Sequence, residues 1–293
     1  MKTALALIGA AVLGYLAITV RSAFNLITPK REYEPEGYQP AEVSFERVTF
    51  HNRAGLRLAG WTGIRERAKG TIVLCHGAWT NHREMESRAE ALWNRGFSVM
   101  TFDCQGCGES GGRYTSLGLR EADDLVAAVD YLAAQGDPGP VGVLGNSMGG
   151  AVAIIAAGRD ERIQAVATDG AFAAAGRDFV GYAFRGVSGL SPTMFQDAVV
   201  MMSESVSGAR LDRVRPVASI GRIAPRPVML IHGADDAMIR VAEAHTLYAA
   251  AGEPKTLWIV PDCEHVQSFH LYREEYLGRV EEFFTRAFSA TRE

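Results

Sequence analysis

The chain has 293 residues, of which 47% are hydrophobic, and a formal net charge of −4 at pH 7 with a sequence pI near 6.0. This length and apolar content suit one large α/β domain, or two small ones, with a sizeable core. The slightly acidic balance and the lack of any block of like charges give no basic surface for nucleic acid, so nucleic-acid binding is not expected.

The N-terminus carries the first predicted element, an apolar helix. Lys2 is followed by an uncharged run from Thr3 to Val20, which ends at Arg21 and has about the length that crosses a hydrocarbon core. The run is longer than the apolar region of a typical signal peptide, and no clear A-x-A cleavage site follows it. We therefore predict a single-pass membrane anchor over residues 1–28, with a signal peptide cleaved on export and a buried helix as the alternatives. The basic residues on the two sides of the run nearly balance and only slightly favour a cytoplasmic catalytic domain, so the orientation stays open.

The apolar run is followed by a stretch of mixed charge, PKREYEPEGYQP, which spans Pro29 to Pro40 and contains three prolines. This composition is typical of an extended linker. We predict a tether over residues 29–42 and a folded domain over residues 43–293.

Within that domain, short apolar segments alternate with amphipathic ones. VSFERVTF and LRLAGWTGI, separated by a turn near Asn52–Gly55, predict an opening β-hairpin. Six later segments are rich in β-branched residues and predict buried strands: TIVLCHG, FSVMTFD, VGVLGNS, IQAVATDG, RPVMLIHG and TLWIVPD. Four amphipathic segments predict helices: EMESRAEALWNRG, EADDLVAAVDYLAAQG, AEAHTLYAAAG and LYREEYLGRVEEFFTRAF. The alternation predicts an α/β fold with a mostly parallel, eight-stranded sheet and helices on both faces.

One segment interrupts the alternation of strands and helices. More than fifty residues separate the strand that ends at Asp169 from the strand that begins near Pro227. This length without a strand signal predicts a short helical lid, inserted over about residues 172–222. The paired Met201 and Met202 are interpreted either as packing or as part of a substrate pocket, since flexible thioethers suit a pocket with loose shape demands.

A serine lies where the strand VGVLGNS passes into the small-residue run MGGAVAIIAAG. Residues 145–149, GNSMG, fit the pattern G-x-S-x-G, in which the glycines leave room for a sharp strand-to-helix turn that exposes the oxygen of Ser147. The alternative is an ordinary glycine-rich turn, because a pattern of five residues recurs by chance.

A nucleophilic serine needs a base within hydrogen-bond reach and a third group that orients the base. His265 follows the last predicted strand and is the candidate base. Asp235 and Asp236 follow the strand before it, and Asp169 follows the sixth strand, so each of the three is a candidate for the orienting carboxylate. The chain order serine, aspartate, histidine is the one expected with G-x-S-x-G.

From about residue 43 to the end of the chain, these motifs resemble those of the α/β-hydrolase superfamily. His76-Gly77, after TIVLC, is similar to the HG oxyanion turn of that family, and FDCQGCGESGG resembles its F/Y-D-x-x-G-x-G-x-S loop. Within the superfamily, the chain is most similar to a membrane-anchored bacterial group of serine hydrolases related to lysophospholipases and peptidase-like esterases.

The resemblance implies a role for each candidate side chain. Ser147 is implied as the nucleophile and His265 as the general base. The family pattern HGxxDxxI aligns on residues 232–239, HGADDAMI, and places the acid at Asp236 rather than at Asp235.

The resemblance also implies an oxyanion hole made of backbone N–H groups. Met148, directly after the nucleophile, and Ala78, directly after His76-Gly77, are the implied donors, with Trp79 as the substitute for Ala78.

The expected activity is cleavage of an acyl ester or thioester, from a small-molecule or lipid-derived substrate, through a covalent acyl-enzyme and without a cofactor or metal. A serine peptidase or aminopeptidase and a non-catalytic receptor on the same scaffold are the alternatives. Cys104 and Cys107 have the C-x-x-C spacing of metal and redox sites, but no second C-x-x-C exists, so we interpret the cysteines as buried thiols.

Overall fold

The computed structural model describes residues 2–29, 31, 38, 45–176 and 196–290. Its centre is one eight-stranded sheet in the order β1-β2-β4-β3-β5-β6-β7-β8. The strands are β1 (Glu46–His51), β2 (Arg57–Gly63), β3 (Thr71–Cys75), β4 (Ser98–Phe102), β5 (Val141–Asn146), β6 (Ile163–Asp169), β7 (Val228–Gly233) and β8 (Lys255–Val260). The α/β-hydrolase fold predicted from the sequence is confirmed, with all eight predicted strands in place.

The two edges of the sheet differ in direction. Strand β2 runs antiparallel to both β1 and β4, whereas every pair from β4 through β3, β5, β6 and β7 to β8 is parallel. The hairpin turns at Asn52, whose side-chain oxygen accepts hydrogen bonds from the amides of Ala54 and Leu56, both at 3.0 Å. Because the carboxyl ends of parallel strands meet at one edge of a sheet, the loops that follow β3, β5, β6, β7 and β8 lie side by side.

Helices cover both faces of the sheet. The helices in the described part of the chain are α1 (Lys2–Ile27), α2 (Glu86–Asn94), α3 (Glu121–Ala134), α4 (Met148–Ala157), α5 (Gln196–Ser207), α6 (Val241–Ala250), α7 (Ser268–Leu271) and α8 (Arg273–Ala290). The alternation of side chains along β3 divides the core, since Val73 and Cys75 pack with α3 and α4, whereas Ile72 and Leu74 pack with α2 and α8.

The segment between β6 and β7 has no helix over residues 170–176 and is largely helical over residues 196–222. It contains α5 and three short 3₁₀ turns, Leu211–Arg213, Pro216–Ala218 and Ile220–Arg222. Residues 177–195 of the predicted lid, including FVGYAF and GLSPTMF, lie outside the described residues. Met201 on α5 is 66% exposed, and its neighbour Met202 is half-buried against the core.

Helix α1 is long and apolar enough to cross a membrane. Its first five turns expose large apolar side chains, among them Leu5, Ile8 and Leu13, the last of which is 69% exposed. Its C-terminal end is different, because a single face there is buried against the rest of the chain: Thr19, Ala23, Leu26 and Ile27. Most of the predicted tether, apart from residues 29, 31 and 38, lies outside the described residues.

Candidate active site

Ser147 occupies the tight turn between β5 and α4, with φ 50° and ψ −115°. A positive φ is strained for a residue that carries a side chain, and such strain is characteristic of functional turns. The Ser147 amide donates a 2.8 Å hydrogen bond to the carbonyl of Asp169 at the end of β6. This bond holds the turn against the neighbouring strand and leaves the serine side chain at the carboxyl edge of the sheet.

The glycines on either side of Ser147 are required by close backbone contacts. A Cβ atom on Gly145 would lie 2.2 Å from the carbonyl oxygen of Gly149, and one on Gly149 would lie 2.2 Å from the carbonyl oxygen of Cys75. No side chain fits at either position without displacing backbone. The G-x-S-x-G spacing therefore belongs to a turn that closes both on itself and on strand β3.

Three side chains from three different loops form one hydrogen-bonded chain. His265 Nε2 lies 3.0 Å from Ser147 Oγ, and His265 Nδ1 lies 2.6 Å from Asp236 Oδ2. A carboxylate oxygen can only accept, so Nδ1 carries the proton and Nε2 is free to receive the proton of the serine hydroxyl. The Asp236 side chain is fully buried, whereas that of His265 remains 18% exposed, so the base is reachable from solvent while the acid is shielded.

The acid has a fixed position because both of its oxygens are used. Asp236 Oδ1 accepts hydrogen bonds from the amides of Met238 at 2.9 Å and Ile239 at 2.7 Å. The neighbouring Asp235 is exposed. Asp169 accepts a 3.2 Å hydrogen bond from Ser268 Oγ, and burial raises its pKa to about 6. Of the three carboxylates considered, all in the described part of the chain, only Asp236 forms a hydrogen bond with His265.

A second histidine supports the acid loop from below. The buried His232 Nε2 lies 2.8 Å from the Ile239 carbonyl oxygen and 3.4 Å from Asp236 Oδ2. Because a carbonyl only accepts, Nε2 of His232 carries a hydrogen and donates it there. Burial lowers the pKa of His232, which favours the neutral ring and a structural role beside Asp236.

The two implied oxyanion donors lie on loops that touch each other. A Cβ atom placed on Gly77 would lie 3.6 Å from the Cβ atom of Ser147, so the β3 loop that carries Ala78 is in contact with the turn that carries Met148. The Met148 amide begins α4 and has no carbonyl one turn earlier to bond. In the described part of the chain, neither this amide nor that of Ala78 donates to another protein group. Both N–H groups therefore lie on loops next to Ser147 and have no protein acceptor among the described residues.

Glu84 joins these two loops, and sequence reasoning missed it. Its Oε2 accepts a 2.8 Å hydrogen bond from the Gly77 amide, and its Oε1 accepts a 2.9 Å hydrogen bond from Asn146 Nδ2. Gly77 precedes Ala78 and Asn146 precedes Ser147, so a single carboxylate fixes the spacing between the loops that carry the two implied donors. Glu84 lies in the 3₁₀ helix His82–Met85, in a segment that the sequence predicted only as the start of an amphipathic helix, and no motif indicated its contacts.

His76 holds the same loop from the other side. Its Nε2 accepts a 3.0 Å hydrogen bond from the Cys104 amide, so Nδ1 carries the hydrogen that is donated to the Gly77 carbonyl at 2.7 Å. The ring thereby ties the HG turn to the glycine-rich loop after β4, and its contacts are structural.

Asp103 anchors that glycine-rich loop. Burial alone would raise the pKa of Asp103, but the hydrogen bond from His82, 2.8 Å from Asp103 Oδ1, lowers it below its ordinary value. The second oxygen accepts a 2.8 Å hydrogen bond from the Glu109 amide. Both oxygens of the ionised Asp103 carboxylate therefore accept hydrogen bonds, so Asp103 holds the loop in place and does not act as a base.

The four cysteines are buried and free. Burial raises the pKa of the thiols of Cys75, Cys104 and Cys107. The Asp124 carboxylate raises the pKa of all three further, and Glu121 raises those of Cys104 and Cys107. Thiols held in this way remain protonated at neutral pH, so they pack as small apolar side chains.

Comparisons with known proteins agree with this fold. The model of the alpha/beta hydrolase family matches residues 72–279. The uncharacterized protein YfhR of Escherichia coli (strain K12) is 32% identical over 252 residues, which cover 81% of each chain. The uncharacterized protein YqkD of Bacillus subtilis (strain 168) is 29% identical over 304 residues, with 97% of each chain covered.

A solved structure shares the architecture. The Pyrococcus furiosus esterase Pf2001 is 26% identical to this chain and superposes with a TM-score of 0.75. The superposition covers 89% of this chain and 98% of that one. Since the family model spans well over half of the sequence, the chain belongs to the alpha/beta hydrolase family and is a hydrolase.

Proposed function

We propose that the protein is a serine hydrolase of carboxylic esters, with carboxylesterase- or lysophospholipase-like activity on an acyl ester or thioester. The observation that carries the proposal is the chain of contacts from Ser147 Oγ to His265 at 3.0 Å and from His265 to Asp236 at 2.6 Å. The Pyrococcus furiosus relative described as an esterase supports the same reaction class.

In the first half of the reaction, Ser147 Oγ attacks the acyl carbonyl carbon while His265 Nε2 takes the hydroxyl proton. The carbonyl oxygen becomes an oxyanion, which the N–H groups of Ala78 and Met148 stabilise. Asp236 stabilises the imidazolium that forms. When the tetrahedral intermediate collapses, His265 Nε2 gives its proton to the leaving alcohol or thiol, and the acyl group stays on Ser147.

In the second half, water takes the place of the leaving group. His265 Nε2 accepts a proton from this water as the oxygen attacks the acyl carbon, and then returns the proton to Ser147 Oγ as the acid leaves. The partial exposure of the His265 side chain, 18%, supports this step because water must reach the same nitrogen.

We propose further that α1 is an uncleaved, single-pass membrane anchor. Its exposed apolar turns from Leu5 to Leu16 suit a hydrocarbon environment. The packing of its C-terminal end supports retention, because cleavage near Ala23 would remove the helix that presents Leu26 and Ile27 to the core. A carbonate wash should leave the full chain in the membrane fraction, and mass spectrometry should find the N-terminus before residue 5. A mature N-terminus near Ala23 would instead establish export after cleavage.

The catalytic proposal is tested with a fluorophosphonate probe and two substrate classes. The wild-type chain should be labelled and should hydrolyse p-nitrophenyl butyrate, while Ser147→Ala should do neither and keep its circular dichroism spectrum. Ser289→Ala, at an exposed serine near the end of α8, is the matched control and should retain both properties. Ester turnover by folded Ser147→Ala would overturn the proposal, and preferential cleavage of an aminoacyl p-nitroanilide would replace it with the peptidase alternative.

A further inference from the structure

The C-terminal end of α1 touches the loop that carries the oxyanion donor Ala78. The indole Nε1–H of Trp79 donates a 2.9 Å hydrogen bond to the Leu26 carbonyl. The last four carbonyls of a helix have no partner inside the helix, so the Leu26 oxygen is available for this bond. The residue directly after Ala78 therefore closes the end of the apolar helix.

A second contact links the same helix end to the other oxyanion donor. The amide of Thr115 donates a 2.8 Å hydrogen bond to the Ile27 carbonyl, and the Thr115 hydroxyl lies 3.7 Å from Met148 Sδ. Leu26, Ile27 and Met148 belong to one buried apolar cluster, and Trp79 packs against it. The helix end thus accepts a hydrogen bond from Trp79, the residue next to Ala78, and reaches the side chain of Met148 through Thr115.

Trp79 is strained and needs these contacts. Its φ is 62°, a region that a bulky side chain rarely adopts. Such a conformation is unfavourable and persists only where the surroundings determine it. Here the surroundings are the carbonyl of Leu26 and the apolar cluster, both contributed or completed by α1. If they were lost, Trp79 would be free to relax toward negative φ, and the peptide that joins it to Ala78 would turn with it.

We propose that the last turn of α1 is a positioning element of the active site, acting through Trp79 on the oxyanion loop. This inference rests on the proposed serine hydrolase function. The helix proposed as the membrane anchor then also supports the active site. Disturbing its packed end lowers the turnover rate even for a substrate that needs no membrane. Trp79 is a positioning residue, since its indole acts through the loop and not on the reacting atoms.

The test uses the full chain in detergent micelles and a soluble short-chain ester, p-nitrophenyl butyrate, with active sites counted by fluorophosphonate titration. Trp79→Phe keeps an aromatic ring and removes the donor, and should lower kcat per titrated site by about three- to tenfold with KM within twofold. Trp93→Phe, at a tryptophan on α2 that stacks on Arg65, is the matched control and should leave kcat within twofold. A purely structural role would change the number of titrated sites or Tm, but not kcat per site.

A second pair of variants addresses the helix directly. Leu26→Ala, at a buried position, should lower kcat per site, whereas Leu13→Ala, at an exposed position of the same helix, should not. The double variant of Leu26→Ala with Trp79→Phe should fall no further than about twofold below the lower single variant, because both changes release the same loop.

The outcomes separate this inference from the proposed function. An unchanged kcat per site in folded Trp79→Phe, or additive effects in the double variant, would overturn the positioning role while ester hydrolysis by the wild type upheld the proposed function. A wild-type chain that neither labels nor turns over would overturn both. If Leu26→Ala does not fold, Trp79→Phe still decides, since it leaves the apolar packing of the helix end in place.

Discussion

Replacing Asp236 with asparagine should stop His265 from acting as a base without changing the shape of the site. Asp236 Oδ1 accepts two backbone hydrogen bonds, from Met238 and Ile239, so the asparagine would keep its carbonyl oxygen there and turn its NH₂ group toward His265. Nδ1 of His265 would then have to accept, which moves the ring hydrogen to Nε2, facing Ser147 Oγ. In that tautomer the histidine cannot take the serine proton. A loss of about 10⁴ in kcat is expected, equivalent to about 5.5 kcal/mol of barrier.

The assay is steady-state hydrolysis of p-nitrophenyl butyrate, with the thermal unfolding midpoint measured in parallel. Asp235→Asn is the matched control, because Asp235 is adjacent, exposed and without a hydrogen bond to His265 in the described chain. It should leave kcat within about twofold. The reasoning would be refuted by a folded Asp236→Asn that loses less than about tenfold, or by a larger loss in Asp235→Asn than in Asp236→Asn.

Three further predictions follow from other contacts. Glu84→Gln leaves one acceptor where two donors converge, so kcat should fall by about tenfold in the same assay, and a change below twofold would contradict the clamp. Burial, together with the neighbouring Glu121, raises the pKa of Asp124 from 3.8 to about 7, so the folded state holds that proton more tightly and stability falls as the pH rises through this range. The free energy of unfolding, measured with urea, should therefore fall less between pH 5 and pH 8 in Asp124→Asn than in the wild type, by about 2 kcal/mol. An unchanged pH dependence would contradict the burial argument. Gly149→Ala should abolish folded expression because its Cβ would lie 2.2 Å from a backbone oxygen, whereas Gly278→Ala, in α8 with nothing within 4 Å, should raise stability by about 0.5–1 kcal/mol, and a folded, active Gly149→Ala would refute the steric account.

The parts of the site that the sequence predicts are those whose spacing follows from backbone sterics. A turn that must accept positive φ at Ser147 and close approach at Gly145 and Gly149 admits few residue types, so it leaves a readable pattern. Asp236 and His265 are also predictable from the sequence, because each follows a strongly apolar strand at the carboxyl edge of the sheet. Choosing Asp236 over Asp235 needed the family pattern, because the hydrophobic periodicity does not distinguish two neighbouring residues. In the structure only Asp236 of the two is buried.

The supporting contacts are not predictable in this way, because they join residues that no local pattern relates. Glu84 binds Gly77, seven residues before it, and Asn146, 62 residues after it, and any carboxylate on a short helix would look the same in the sequence. The strands of the parallel sheet were found from their composition, whereas the distances between their loops come from tertiary packing alone.

The composition of the apolar helix α1 predicts its environment but not the contacts of its C-terminal end. Its exposed turns and its buried end are equally apolar, so hydropathy predicts one continuous anchor and gives no boundary between the part suited to lipid and the part that packs on protein. The boundary is set by the partner surface, where Trp79 and Thr115 offer donors to two helix-end carbonyls that a free anchor would leave to water. Any helix that ends at this point presents these two backbone carbonyls, whereas the buried side chains of Ala23, Leu26 and Ile27 are specific to this sequence. The apolar helix and the proposed active site therefore share contacts at this point, and changes to the helix should be assayed for catalysis as well as for localisation.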